Sequence, residues 1–269
     1  MKKFLKTLWG VVWPLGLYII LSLVVELVYA LILVFRQYYE TGILDIDEAL
    51  SVITSQTLTT TGVVNLIAIT IFAFVIRSDM RTHPDAASKT SLRKVIGAVL
   101  AAIGACVAGN LVLESIGIMD DDISFQLVNE VISNSALWVQ IVVAVILAPL
   151  VEELLFRGII YRRIDIAYGF WPAALISSLF FGLLHGNLTQ GVYAFFLGMV
   201  FAYAYHKTGR LTIPVVMHVV ANFVSLAVDS ILMESQGNTE KTLALLAANI
   251  LILIIGICML SGRKMEIRE

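Results

Sequence analysis

Six polar residues interrupt a strongly apolar sequence: Glu152, Glu153 and Arg157 in "EELLFR", His185 closing "FFGLLH", and His218 and Asn222 in "HVVAN". A charged side chain at the centre of a bilayer costs about 2.5–3.5 kcal/mol on insertion scales, so it normally faces protein or a water-filled cavity. Glu153 and Arg157 are four residues apart, share a helix face and can pair. Glu152 lies about 100° further round the helix and is free to point elsewhere. Two adjacent carboxylates repel at low dielectric unless a cation intervenes. Arg157 can therefore compensate Glu153 and leave Glu152 as a base. The plain structural alternative is an ion pair alone, with Arg157 reaching towards Arg162 and Arg163.

Phe181 and His185 are also four apart, as are His218 and Asn222. Either pair alone is explained by polar packing between helices. Together with Glu152 they form a set able to hydrolyse a peptide bond: a carboxylate draws a proton from water and a histidine assists or orients. Histidine and asparagine side chains can stabilise the oxyanion of a tetrahedral intermediate. The same Glu152, His185 and His218 could instead ligate zinc through oxygen and nitrogen donors, with one position open to water. H-E-x-x-H and G-x-S-x-G are both absent, which leaves water as the expected nucleophile.

These residues need a membrane bundle to bring them together. Of the 269 residues 59% are hydrophobic and 14% charged, with a mean hydropathy of +0.91. The apolar residues fall in blocks of transmembrane length. The expected fold is all-α, a polytopic bundle of about eight spans: 8–35, 57–77, 95–117, 136–160, 170–186, 190–206, 212–233 and 242–261. On this assignment 16 of the 18 basic residues fall on one side, leaving Arg36 and Lys241 opposite. The other loops carry Asp45, Asp47 and Glu48, then Asp120 to Asp122, then Glu234 and Glu240. The positive-inside rule then puts both termini in the cytoplasm. The first apolar run is too long for a signal peptide and reads as an uncleaved span.

The chain reads as a single membrane domain: three N-terminal spans (1–135), a polar-rich core (136–235), and a last span with its tail (236–269). The connections 36–56, 78–94 and 118–135 read as linkers or short surface helices. Cys106 and Cys258 lie within spans and imply neither disulfide nor metal site. Ala105/Gly109 and Gly182/Gly186 suit close helix packing. Trp9, Trp13, Trp138 and Trp171 sit near span ends, as interfacial anchors do. Glu26 lies in mid-span one, as a cavity residue or a packing partner. Asp229, His83 and His206 read as ordinary surface groups. The basic 77–94 loop suits anionic lipid, and nothing in the composition suggests nucleic acid.

The three motifs, in this order on separate spans, resemble those of the CAAX-processing and bacteriocin-processing membrane proteases, the CPBP or Abi family. E-E-x-x-x-R stands as Glu152 to Arg157, F-x-x-x-H as Phe181 to His185, and H-x-x-x-N as His218 to Asn222. The resemblance covers 136–235 and implies an intramembrane endopeptidase in a bacterial-type plasma membrane, acting on a membrane-associated peptide or lipidated protein. It makes Glu152 the water-activating residue and His185 its assistant. His218 and Asn222 would stabilise the oxyanion, with Glu153 and Arg157 in support. Zinc-dependent and metal-free glutamate mechanisms are both consistent with it. Family members cleave CAAX tails or serve peptide maturation and self-immunity. A non-catalytic scaffold or immunity protein shares the fold, and a proton-coupled carrier would use similar buried groups.

Overall fold

The computed structural model describes residues 1–43, 45–82, 90–235 and 238–262, with backbone alone for 229–235. His83, Lys89, Arg263, Lys264 and Arg268, and the side chains of Asp229 and Glu234, lie outside the described residues. Among the described residues the chain is helical without strands. Its main elements are α1 (Lys2–Thr41), α2 (Ile46–Thr82), α3 (Leu92–Ser115), α4 (Ile123–Asn134), α5 (Leu137–Tyr168), α6 (Phe170–Leu183), α7 (Leu188–Thr208), α8 (Thr212–Ser235) and α9 (Thr239–Ser261).

Six of them, α1, α2, α3, α5, α7 and α9, are long and apolar enough to cross a membrane. Helix α6 has 14 residues, or about 21 Å at 1.5 Å per residue, short of a hydrocarbon core of about 30 Å. The apolar part of α8 covers Thr212–Val228. All eight expected segments are helices, and length and composition make six of them candidate spans. The expected linker 36–56 is mostly helix, because α1 and α2 run well past their apolar cores and leave a short turn at Gly42.

Two apolar clusters organise the bundle. One joins α1, α2, α5, α6 and α7 around Phe72, Leu155, Phe156, Ile159 and Phe181. The second joins α3, α7, α8 and α9 around Ala101, Cys106, Phe201 and Met217. Lipid tails are as apolar as leucine, so such helices associate by close packing rather than by burial from water. In α3 and α9 this closeness comes from Gly97, Gly104 and Gly256: a Cβ on Gly97 would lie 2.8 Å from the Gly256 carbonyl. The expected small-residue steps are only partly packing devices. Gly109 lies against the Tyr193 ring and Gly182 against the Gly191 carbonyl, but Gly186 has open space around it. Its φ of +72° instead turns the chain from α6 into α7, a conformation that glycine adopts without a Cβ penalty.

Two polar ties fix the ends. Arg163 on α5 donates to Asp79 on α2 and to the Gly10 carbonyl on α1, both at 2.8 Å, and its guanidinium lies over Trp13. At the other end Asp122 accepts from the backbone N–H of Phe125 and of Thr189, capping α4 while holding the start of α7. The Thr189 N–H chiefly holds this carboxyl below the usual carboxylate range. A depressed carboxyl contributes stability above its unfolded value and loses it as pH falls through the folded one, so the tie survives mild acid. Trp9, Trp138 and Trp171 are each about two-thirds exposed near helix ends, as membrane-interface anchors would be.

Candidate active site

Helix α5 is irregular where the site is built. Gln140–Leu147 and Leu154–Tyr161 are π-helical and flank a short α-helical stretch, Ala148–Glu153. Such wide turns are rare and frequently accompany functional sites. In the first of them Ala148 N–H bonds the Val143 carbonyl, five residues back. Continued one residue, that register would pair the Ala144 carbonyl with the N–H that Pro149 lacks. The Asn222 side chain on α8 meets the need, donating to the Ala144 carbonyl at 2.8 Å. One of its two amide hydrogens is thereby spent on bracing α5.

The α stretch carries the two glutamates. Glu153 is fully buried, and its Oε1 accepts from Arg157 Nη1 at 2.8 Å and pairs with His218 Nδ1 at 2.9 Å. Arg157 is also fully buried, and its guanidinium turns to Glu153 rather than towards Arg162 and Arg163. Its guanidinium is packed between aromatic faces, 4.6 Å from the Phe181 centroid and 5.5 Å from that of Phe201. A cation over a desolvated ring gains about 2 kcal/mol, which offsets part of the cost of burying it.

Glu152 meets the other nitrogen of the same His218 ring from a more open position. Its side chain is 17% exposed, and Oε2 lies 3.5 Å from His218 Nε2. That is longer than a direct N–H···O hydrogen bond of 2.7–3.2 Å. Because Glu153 engages Nδ1, the other ring nitrogen of His218 is directed at Glu152. Nε2 can approach that carboxylate favourably only through an N–H or a bridging water, since a bare lone pair would be repelled.

His185 lies in the turn after α6. Its Nδ1 is 2.9 Å from the Phe181 carbonyl. A carbonyl only accepts, so Nδ1 carries the hydrogen and the neutral ring presents Nε2 as an acceptor. The His185 and His218 rings both stand edge-on to Phe181, at centroid distances of 5.2 and 5.4 Å. The structure thus joins Glu152, Glu153, Arg157 and His218 directly, His185 through a shared phenyl ring, and Asn222 through the backbone of α5. Glu26 is exposed on α1 and makes no hydrogen bond or ion pair among the described residues.

Catalytic zinc uses about three protein donors around one point. Among the described residues no three His, Cys, Asp or Glu side chains are so arranged. The Glu152, His185 and His218 donors therefore do not fit a bound zinc as they stand.

Residues outside the motifs also shape the site. Gly198 on α7 faces Arg157: a Cβ there would lie 2.9 Å from Nη2 and from Ser178 Cβ and Oγ. Gly198→Ala should cost about 1–3 kcal/mol, as over-packing does. A lower melting temperature in detergent, with reduced activity, is the expected reading; wild-type values for both would show the contact to be slack. On the other flank, Tyr18 on α1 donates to Asn65 on α2 at 2.9 Å. Neither helix carries a motif, and a lone asparagine among the threonines of α2 gave no signal in the sequence.

Residues 134–224 match the family model described as Type II CAAX prenyl endopeptidase Rce1-like. The chain is 30% identical over 138 residues to the candidate membrane peptidase YdiL of Bacillus subtilis, covering 51% of this chain and 56% of YdiL. It is 38% identical over 86 residues to an uncharacterised 24.3 kDa protein of Escherichia coli, covering 30% and 40% of the two chains. To the membrane-embedded CAAX protease MroQ of Staphylococcus aureus it is 34% identical over 83 residues, covering 29% and 34%. The chain thus spans about half or less of the length of these relatives. No solved structure matches it. Glu152, Glu153, Arg157, His185, His218 and Asn222 all fall inside the matched segment, and over it the chain is similar to the Rce1-like CAAX prenyl endopeptidases.

Proposed function

We propose that this chain is an intramembrane endopeptidase that hydrolyses a peptide bond of a membrane-associated peptide or lipidated protein. The observation that carries this reading is the partly open Glu152 carboxylate, facing His218 Nε2 at 3.5 Å inside the family segment. A water beside Glu152 gives up a proton to the carboxylate as its oxygen adds to the scissile carbonyl carbon. His185 Nε2, fixed as an acceptor, holds the second water hydrogen. His218 and the remaining amide hydrogen of Asn222 stabilise the oxyanion. On collapse the C–N bond breaks and the proton on Glu152 passes to the leaving nitrogen. Glu153 and Arg157 hold His218 in place throughout. The positive-inside pattern supports both termini being cytoplasmic, in a bacterial-type plasma membrane. Peptide or bacteriocin maturation, with self-immunity as its consequence, fits this chemistry as well as trimming of a CAAX tail.

The test is turnover of a pool of lipid-anchored peptides by the purified protein in liposomes made up in 18O-water. Products should appear with one 18O in each new carboxylate, and activity should survive a chelator. Absence of any product would overturn the reading in favour of a non-catalytic scaffold. Loss of turnover with the chelator, reversed by Zn2+, would replace the metal-free route with a zinc one.

A further inference from the structure

The motif-free N-terminal helices supply a polar pair at the same site. Asn65 is fully buried, and its Oδ1 accepts the Tyr18 hydroxyl at 2.9 Å, while its Nδ2 has no partner. A buried amide with an unmet donor is costly and requires explanation. An apolar side chain would avoid that cost, so packing alone does not account for Asn65.

The pair borders the glutamate side of the site. Tyr18 packs on the cluster that contains Val151 and Leu155, which flank the glutamates, and on Phe72. Helix α2 packs directly on the 148–153 stretch. Oδ1 of an amide can only accept, so the hydroxyl hydrogen is committed to Asn65 and the phenol oxygen is left with its lone pairs. Tyr18 itself is only half-buried. Asn65 thus sets Tyr18 as an acceptor, and a peptide backbone running past Glu152 offers N–H groups to match it.

We propose that Tyr18, oriented by Asn65, is a substrate-binding residue that accepts a backbone N–H of the peptide beside the scissile bond. This rests on the endopeptidase reading above and adds to it a contact from the half of the chain that carries no motif.

The experiment takes the best-cleaved lipid-anchored peptide of the pool and variants N-methylated at one bond at a time around the cleavage point. Wild type should lose about tenfold in kcat/KM at one N-methylated position, the order expected for one hydrogen bond. Tyr18→Phe should lose a similar factor on the parent peptide, mostly in KM, and should no longer discriminate against that N-methylated peptide. Asn65→Leu should behave as Tyr18→Phe does, and combining the two should add little, because they remove one interaction. Undiminished discrimination in Tyr18→Phe, or a wild-type KM, overturns the proposal. A second arm does not need turnover: a photo-crosslinking phenylalanine analogue at position 18, in a Glu152→Gln background, should capture the peptide pool, whereas the same group at the outward-facing Ile20 should not. Equal capture at both positions also overturns it. Failure of the endopeptidase reading shows separately, as turnover that persists in Glu152→Gln or is absent in wild type.

Discussion

Glu152→Gln should leave the protein folded and reduce peptide turnover by about three orders of magnitude. General-base catalysis by a positioned carboxylate contributes about 10²–10⁴-fold, and the amide has the same shape but no basicity. Glu152 is the partly exposed member of the pair, and its contact with His218 is the long one, so little structural energy depends on its charge. The effect should therefore fall on kcat, with KM and melting temperature close to wild type. Glu153→Gln should behave differently. That carboxylate is fully buried and holds both Arg157 and His218, so its loss should lower stability and activity together. Progress curves with one cleaved peptide, read beside melting curves in the same detergent, separate the two variants. Near wild-type turnover by Glu152→Gln would remove Glu152 from the chemistry.

Much of this site is legible in the sequence, for an identifiable reason. Hydrocarbon tolerates so few charges that a cluster of them marks a position where protein answers them, although the isolated Glu26 is exposed on α1. The four-residue spacing pairs Glu153 with Arg157, as in the structure, whereas Glu152, offset round the helix, meets the same His218 ring as Glu153. The order of the three motifs pointed to His185, His218 and Asn222. What the sequence does not display is the backbone. The π turns flanking the glutamates shift the helical register, and Pro149 was the only residue in that stretch that could have announced them. Asn222 accordingly carries a structural bond to Ala144 that no spacing rule foresees. Tyr18, Asn65, Phe201 and Gly198 were not visible either. Aromatic and small residues are common in membrane helices, and only the packing of α1, α2 and α7 against α5 gives these four a role. Of the eight expected spans, six are helices long and apolar enough to cross a membrane by themselves. Apolarity marks helix α6, but its 14 residues are too few to cross unaided.

Arg157→Met is the substitution with the largest expected structural cost. It keeps an unbranched side chain between Phe181 and Phe201 while removing the charge. The guanidinium is fully buried and lies 2.8 Å from an equally buried Glu153, with no solvent path for either group. Removing one member of a buried pair costs about 3–5 kcal/mol, because the other is left charged without compensation. Glu153 would then have only His218 to oppose it, and it would draw that imidazole away from Glu152. Activity should fall with stability, although Arg157 itself is shielded from substrate. A double variant, Arg157→Met with Glu153→Leu, separates the two effects. It removes both charges, and replacing a buried ion pair by apolar residues of similar volume is often neutral or stabilising. Melting temperature should therefore recover most of what Arg157→Met lost, whereas turnover should stay low, because His218 Nδ1 has lost the carboxylate that fixed it. If turnover recovered along with stability, the ion pair would be a packing element alone, and the orientation of His218 would have to come from the Phe181 and Phe201 rings it lies against.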